Sequence, residues 1–171
     1  MARKIKIPNH LQKSLARGIT KRKIDIRTKR KYYLIVCEGE QTEPNYFEAI
    51  KERLPKGVLT SCHIEIEGAG KNTESLLDET IRLMGKWHEE TGRQIDKVWI
   101  VFDRDSFDPQ QFNNAINRCK QSKPEIGCAW SNEAFELWYL LHLIYFDNAL
   151  RRTEYQRILE EQLSKKMGQS F

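Results

Sequence analysis

Acidic side chains follow two apolar runs of the sequence, at the point where each run ends. Glu38 comes directly after YYLIVC, and Asp103 and Asp105 come after KVWIVF. Short apolar runs of this kind are typical of buried strands, and open α/β sheets bind ligands outside the carboxyl ends of their strands. Two aspartates and the phosphate oxygens of a substrate suit Mg²⁺ or Mn²⁺. The pattern therefore indicates metal-dependent chemistry on phosphates, with solvated loop acids as the alternative.

The rest of the chain alternates strand-like and helix-like segments. This order is typical of βαβ units and predicts an α/β fold with a mainly parallel sheet flanked by helices. The predicted strands are Tyr32–Cys37, Cys62–Glu67, Lys97–Phe102 and Ile126–Trp130. The predicted helices are one capped by Thr42 and ended by Pro55, then Thr73–Glu90, Pro109–Ser122, Asn132–His142 and Thr153–Met167. The alternating run CHIEIE predicts that the second strand lies near a sheet edge.

The first 31 residues form a strongly basic segment. They hold twelve Lys or Arg and one acid, whereas the whole chain has a net charge of only +5. Such dense like charge cannot support a packed core, so the sequence predicts a basic arm over residues 1–31 and an α/β domain over 32–171. Binding to phosphate backbones is a natural use of the arm, which makes DNA or RNA the expected partner. A solvated tail is the alternative.

Cysteine usage and hydropathy limit the compartment. The four cysteines lie far apart without a CxxC pair, so we expect neither a disulfide framework nor a zinc site. No apolar run reaches 18 residues, and no apolar segment follows the charges at the N-terminus. We therefore expect a cytoplasmic protein that does not bind a membrane.

Three segments carry a resemblance to known proteins: CEGEQTEPNYF at 37–47, FDRD at 102–105 and SNEAFELW at 131–138. The strand-Glu-Gly and strand-Asp-x-Asp pair resembles the Toprim signature of primases, topoisomerases and a group of nucleases. The three segments together resemble the RloB-like family over about residues 32–145 of this chain. The chain departs from that pattern at Glu133, where RloB-like proteins often have proline.

This resemblance implies a Toprim-like fold and a Mg²⁺- or Mn²⁺-dependent nuclease associated with restriction and phage-defence loci. Other defence-system proteins are then possible partners. Carried over to this sequence, Glu38 resembles the Toprim general acid or base, and Asp103 and Asp105 resemble the metal ligands. Glu43 is either a further ligand or a first-turn acid that interacts with the helix dipole. Glu136 is predicted on an apolar helix, where a carboxylate needs the metal or a basic residue as a partner.

Several other residues are candidates for substrate contact. Gly39 gives the tight turn that lets the backbone approach a phosphate. Lys71 and Asn72 follow glycines at the start of a helix, where an anion can bind, although an ordinary loop and cap would look the same. Arg104 lies between the two aspartates, and Asn132 is either a substrate contact or a helix cap. His142 is interpreted as a hydrogen-bonded structural residue.

Three classes of function therefore remain open. The first is a Toprim-type nuclease. The second is a phosphatase of the haloacid-dehalogenase kind, which also uses a strand-terminal Asp-x-Asp but favours Thr or Val where this chain has Phe107. The third is a non-catalytic nucleic-acid-binding subunit of a defence complex. Metal-dependent cleavage of DNA or RNA would separate the first class from the third.

Overall fold

The computed structural model describes residues 8–9, 29–70, 73–104 and 109–168. Within them, four parallel strands form a single sheet with the order β2-β1-β3-β4. The strands are β1 (Lys31–Cys37), β2 (Cys62–Gly68), β3 (Lys97–Arg104) and β4 (Ile126–Asn132). The predicted α/β fold with a parallel sheet is confirmed, and β2 lies at an edge as expected.

Six helices flank the sheet in the described part of the chain. They are α1 (Thr42–Arg53), α2 (Lys56–Ser61), α3 (Thr73–Thr91), α4 (Pro109–Gln121), α5 (Glu136–Leu141) and α6 (Arg152–Met167). The short helix α2 was not predicted, because Pro55 and Gly57 indicated only the end of a helix. The backbone instead turns helical again at once, where the Val58 N–H donates to the Pro55 carbonyl at 2.8 Å. None of the helices described is both long and apolar enough to cross a bilayer.

The strand order creates a crevice between β1 and β3. From β1 the chain crosses to β2 on one side, and from β2 it returns to β3 on the other side of β1. The connections that leave β1 and β3 therefore diverge in opposite directions. In open parallel sheets this switch point is where ligands bind, outside the carboxyl ends of the strands.

Two helical layers bury the two faces of the sheet. On one face, α3 and α4 pack on a core that includes Leu34, Val36, Leu76, Ile100 and Phe102. On the other face, α1 and α5 pack on a smaller aromatic core that includes Cys37, Val101, Tyr46, Phe135 and Trp138. Apolar residues alternate along the strands because neighbouring side chains point to opposite faces.

Helix α6 packs against α5 through a third apolar cluster. Its centre is Tyr155, which is 1% exposed and packs with Ala134 and Leu140. The Tyr155 hydroxyl accepts a hydrogen bond from the Leu150 backbone N–H at 3.4 Å. This anchor holds the first turn of α6 beside the carboxyl end of β3.

The segment after β4 differs from the prediction. β4 continues to Asn132, and α5 begins only at Glu136, so the predicted helix Asn132–His142 starts four residues too early. Asn132 is therefore not the cap of this helix, whose N-cap position is Phe135 and has no side-chain cap. Glu133 stands between them with φ of +65°. Proline cannot adopt this angle, because its ring fixes φ near −65°.

Two other boundaries also move. Thr42 was predicted to cap α1, but the N-cap position is Gln41, without a side-chain cap bond. Lys31 was assigned to the basic arm, but it is the first residue of β1. Arg30 is also tied to the domain, since its guanidinium donates to the Leu59 and Cys62 carbonyls at 3.2 and 3.4 Å. The rest of the arm, apart from residues 8–9 and Lys29, lies outside the described residues.

Candidate active site

The ends of β1 and β3 bring Glu38 and Asp103 together. The Glu38 N–H donates to the Val101 carbonyl at 2.8 Å, which keeps the chain beside β3 after β1 has ended. In return, the Asp103 N–H donates to Glu38 Oε2 at 3.1 Å. Two residues that are 65 positions apart in the sequence are thus held side by side at the switch point. The structure places both at the same edge of the sheet.

A cavity of about 340 Å³ opens at this edge. Its lining residues are Glu38, Gly39, Thr42, Glu43, Asp103, Phe135, Glu136 and Arg152. The lining carries four carboxylates and one guanidinium, so the cavity concentrates negative charge. Of the residues predicted for the site, the structure brings Glu38, Gly39, Glu43, Asp103 and Glu136 into this cavity.

Glu43 is a carboxylate buried in the first turn of α1. It is 6% exposed and lies directly against Gly39. A Cβ atom at Gly39 would overlap Glu43 Oε2 and would stand only 2.9 Å from the carboxylate carbon. Gly39 therefore leaves space for the Glu43 carboxylate in its observed position. The role predicted for Gly39, a tight turn that lets the backbone approach a phosphate, stays a prediction.

Asp103 has a perturbed carboxyl group. Its side chain is 15% exposed, and Arg152 Nη2 donates to its Oδ2 at 3.2 Å. Its Oδ1 is buried and makes no hydrogen bond of good geometry among the described residues, although the Ser131 hydroxyl and the Phe135 N–H lie close enough to interact with the carboxyl. Burial, and next the charge of Glu43, raise the pKa of Asp103 to about 6, although Arg152, the Ser131 hydroxyl and the Phe135 backbone act in the opposite direction.

Arg152 was not identified from the sequence. Its guanidinium bridges the Asp103 carboxylate and the Glu133 carbonyl, each at 3.2 Å. It stands at the first residue of α6, where the helix dipole disfavours a positive charge. An arginine at this unfavourable position is the signal in the sequence that could have suggested a functional role. The helix was predicted to start at Thr153, however, and the periodicity of the sequence did not place its first turn beside β3.

Glu136 has a neutral partner instead of a basic one. Gln156 Nε2 donates to Glu136 Oε1 at 2.9 Å, which ties the first turns of α5 and α6 together. The sequence predicted the metal or a basic residue as this partner; the hydrogen bond shown here comes from glutamine, and the metal role stays a prediction. Glu136 lines the cavity as well, so one of its oxygens is engaged while the residue faces the site.

Two predicted substrate contacts lie away from the cavity. Arg104 and Asn132 are register partners on β3 and β4, one position beyond the pair Asp103 and Ser131. They therefore face the opposite side of the sheet. The Arg104 guanidinium lies over the Phe112 ring, at 5.0 Å from its centroid. Asp105, Lys71 and Asn72 lie outside the described residues, so their roles stay predictions.

The nearby cysteine and histidine have structural surroundings. Cys37 is buried, and burial and then the charge of Glu43 raise the pKa of its thiol to about 12. It therefore stays a neutral thiol, which is neither a good metal ligand nor a nucleophile. His142 shares a hydrogen bond of 2.8 Å with the Tyr46 hydroxyl, as its structural interpretation predicted.

The donors of the cavity suit a hard cation. They are carboxylate oxygens, and the buried Oδ1 of Asp103, without a hydrogen bond of good geometry in the described part of the chain, is an acceptor of the kind that a cation satisfies. The described residues contain no group of three or more His, Cys, Asp or Glu arranged to hold a metal by themselves. An ion such as Mg²⁺ keeps several waters and takes few protein ligands, so fewer than three carboxylates can hold it.

Fold and site together define an α/β protein with an acidic cavity at the switch point of a parallel sheet. The chain belongs to the RloB-like protein family, whose model matches residues 33–170. That range contains the whole described sheet except its first two residues and all residues that line the cavity. No curated protein and no solved structure matches the chain.

Proposed function

We propose that this protein is a Mg²⁺- or Mn²⁺-dependent nuclease that cleaves phosphodiester bonds at the acidic cavity, in the manner of Toprim proteins. One observation carries the proposal: the Asp103 carboxylate is buried beside Glu38 and Glu43, with an unsatisfied oxygen, where a parallel sheet binds ligands. Such a carboxylate is costly to the fold, and a cation would relieve the cost.

Asp103 would hold the cation, with Asp105, Glu43 and Glu136 as the further predicted ligands. When bound, a divalent cation supplies a more acidic water and neutralises charge that develops on a phosphate. The protein itself contributes position. Gly39 leaves space for the Glu43 carboxylate, and Gln156 fixes one oxygen of Glu136.

Glu38 is the proposed general acid or base. Its Oε2 accepts the Asp103 backbone N–H, which orients the carboxylate toward the cavity. A carboxyl group held in this way can take a proton from an attacking water or return one to a leaving oxygen. Such a contribution is typically about 10² to 10⁴-fold in rate.

Arg152 adds a phosphate-binding group that the sequence did not suggest. Its guanidinium is half exposed and lines the cavity. The fork of N–H donors matches phosphate as well as carboxylate geometry. We infer that Arg152 screens Asp103 in the free protein and contacts a substrate phosphate in the complex.

A role in phage defence, alone or with other defence proteins, remains a prediction that follows from the family resemblance. The phosphatase alternative has less support, because within the described part of the chain the acid held beside Asp103 is Glu38 from β1. In the proposal, the general acid or base, Glu38, follows β1, and the metal ligand Asp103 lies on β3. The non-catalytic alternative has the same geometry and differs only in turnover.

The test is cleavage of labelled single- and double-stranded DNA and RNA by the full chain in Mg²⁺, Mn²⁺ or EDTA. Cleavage that needs metal, and that Asp103→Asn abolishes, supports the proposal. The matched control is Asp147→Asn, since Asp147 is exposed and outside the cavity. Binding without cleavage under every condition would favour the non-catalytic subunit, and cleavage in EDTA would overturn the metal-dependent mechanism.

A further inference from the structure

An exposed tryptophan stands in the middle of a central strand. Trp99 of β3 is 45% exposed, although β3 has a neighbouring strand on each side. Its strand neighbours Val98 and Ile100 point to the opposite face and are 1% and 0% exposed. Near the amino ends of the strands, therefore, the described helices leave uncovered the face of the sheet that α1 and α5 cover farther along.

The backbone of the adjacent strand accommodates the indole ring. Trp99 is in register with Gly127 of β4. A Cβ atom at Gly127 would stand 2.6 to 2.9 Å from Cε3, Cδ2 and Cε2 of the indole. Since these atoms belong to the shared edge and the six-membered part of the ring, the ring lies across the Gly127 backbone. One of its faces rests on the sheet, and the other remains available.

The surroundings of Trp99 are aromatic and basic. Lys97 precedes it by two residues on the same face and is exposed. Tyr33 of β1 is in register with Lys97 and half-buried, and Lys31 of β1 is exposed on the same face. Within the four described strands, this face carries these two lysines and no acid before Asp103, because Glu65 and Glu67 of β2 point to the other face.

We propose that Trp99, Tyr33, Lys31 and Lys97 form a stacking platform for an unpaired nucleic-acid strand. Flat aromatic rings beside basic side chains are how proteins hold single strands, with bases stacked on the rings and phosphates near the cations. A base in a duplex is already stacked on both sides, so this platform selects single-stranded substrate. The inference names the substrate form for the proposed nuclease and rests on its action on nucleic acid.

Charge complementarity favours this occupant over a second copy of the chain. A symmetric contact through this face would bring the lysines of two copies together. The basic N-terminal segment of the sequence leads directly into β1 at Lys31. The platform therefore begins where this positively charged stretch of the chain ends. The acidic cavity lies beyond Trp99 on the same face of β3, and Asp103 is about 13 Å farther along the strand.

The test measures binding of a labelled single strand of about ten nucleotides to the full chain by fluorescence anisotropy. All titrations contain EDTA, so that failure of cleavage cannot be confused with failure of binding. Trp99→Ala is expected to weaken binding between about 5-fold and about 150-fold, and Trp99→Tyr to restore most of it. The matched control is Trp130→Ala, since Trp130 is 42% exposed on the opposite face and should matter little.

A strand of equal length with abasic sites separates stacking from charge. The parent protein should bind it more weakly than the normal strand, and this difference should become smaller in Trp99→Ala, which keeps only Tyr33 for stacking. If Trp99→Ala does not fold, Lys97→Glu tests the same face, since Lys97 is exposed, and it should weaken binding of both strands. Equal binding of normal and abasic strands by the parent would overturn the platform. So would a dimer in sedimentation that Trp99→Ala dissociates.

Discussion

Replacing Asp103 by asparagine should stabilise the metal-free protein at neutral pH. The folded protein raises the pKa of Asp103 from 3.8 to about 6, first through burial and next through Glu43. The folded state therefore binds this proton more tightly than the unfolded state, and stability is lost as the pH rises from about 4 through 6. The asparagine side chain has no proton to lose and escapes this penalty.

The size of the effect follows from the shift. At about 1.36 kcal/mol for each pKa unit, the penalty reaches about 3 kcal/mol above the folded pKa. This figure already includes the favourable charge of Arg152, because that charge lowers the pKa. It is an upper limit, because the guanidinium beside the carboxyl is half exposed and solvent screens such interactions. We expect Asp103→Asn to be more stable by about 1 to 3 kcal/mol at pH 7.5.

Urea unfolding in EDTA at a series of pH values measures this difference. The free energy of unfolding of the variant, minus that of the parent, should lack this gain below pH 4, increase between about pH 4 and 6, and then remain constant. Asp147→Asn serves as the control, and exposed substitutions rarely change stability by more than about 0.5 kcal/mol. A difference that does not change with pH would contradict the raised pKa of Asp103. In a separate measurement with Mg²⁺ in place of EDTA, the metal should stabilise the parent and not the variant.

Three further predictions address the arm, the turn and the acid–base group. Deleting residues 1–28 should weaken nucleic-acid binding and flatten its salt dependence while the melting temperature stays nearly constant, because nine Lys or Arg are removed and β1 is kept. Gly39→Ala should displace the flexible Glu43 carboxylate and weaken Mg²⁺ binding at little cost in stability. Gly68→Ala should instead destabilise by about 1 to 3 kcal/mol, because its Cβ meets backbone atoms at 2.8 Å. Glu38→Gln should bind Mg²⁺ almost normally but lose about 10² to 10⁴-fold in single-turnover cleavage.

Each of these predictions has a result that contradicts it. An unchanged salt slope after the deletion would mean that the arm does not contact phosphate. Equal destabilisation by the two glycine substitutions, measured by urea unfolding, would show that the Glu43 carboxylate cannot move. If Glu38→Gln lowers the rate only through weaker Mg²⁺ binding, saturating metal will restore the parent rate, and Glu38 is then a ligand.

The sequence predicted the sheet because three of its strands are short apolar runs and the fourth, β2, alternates with period two. It also predicted that Glu38 and Asp103 share an edge, since parallel strands end at the same side. Element boundaries were less accurate where local signals compete. SNEAF contains good capping residues, but the turn at Glu133, with φ of +65°, delays helix α5 to Glu136.

Arg152 could not be found in this way, because its position depends on tertiary packing. The residue becomes part of the site only when Tyr155 is buried against Ala134 and Leu140 and sets the first turn of α6 beside β3. Periodicity predicts that α6 has an apolar side, but it does not identify the helix on which that side packs. Alternation likewise predicts that Asp103 and Arg104 face opposite sides of β3, although it does not say which side holds the cavity.

The cavity is costly to the fold in the free protein, and this cost is an argument about function. Asp103 is buried beside Glu43 with an oxygen that makes no hydrogen bond of good geometry in the described structure, and Arg152 offsets only part of the penalty. Three clusters of buried apolar residues provide the stability that lets the chain keep such a group. Neutral side chains of similar size would satisfy the packing without the repulsion. The proposed function accounts for this cost, because in it Asp103 is a ligand whose cation arrives with the substrate.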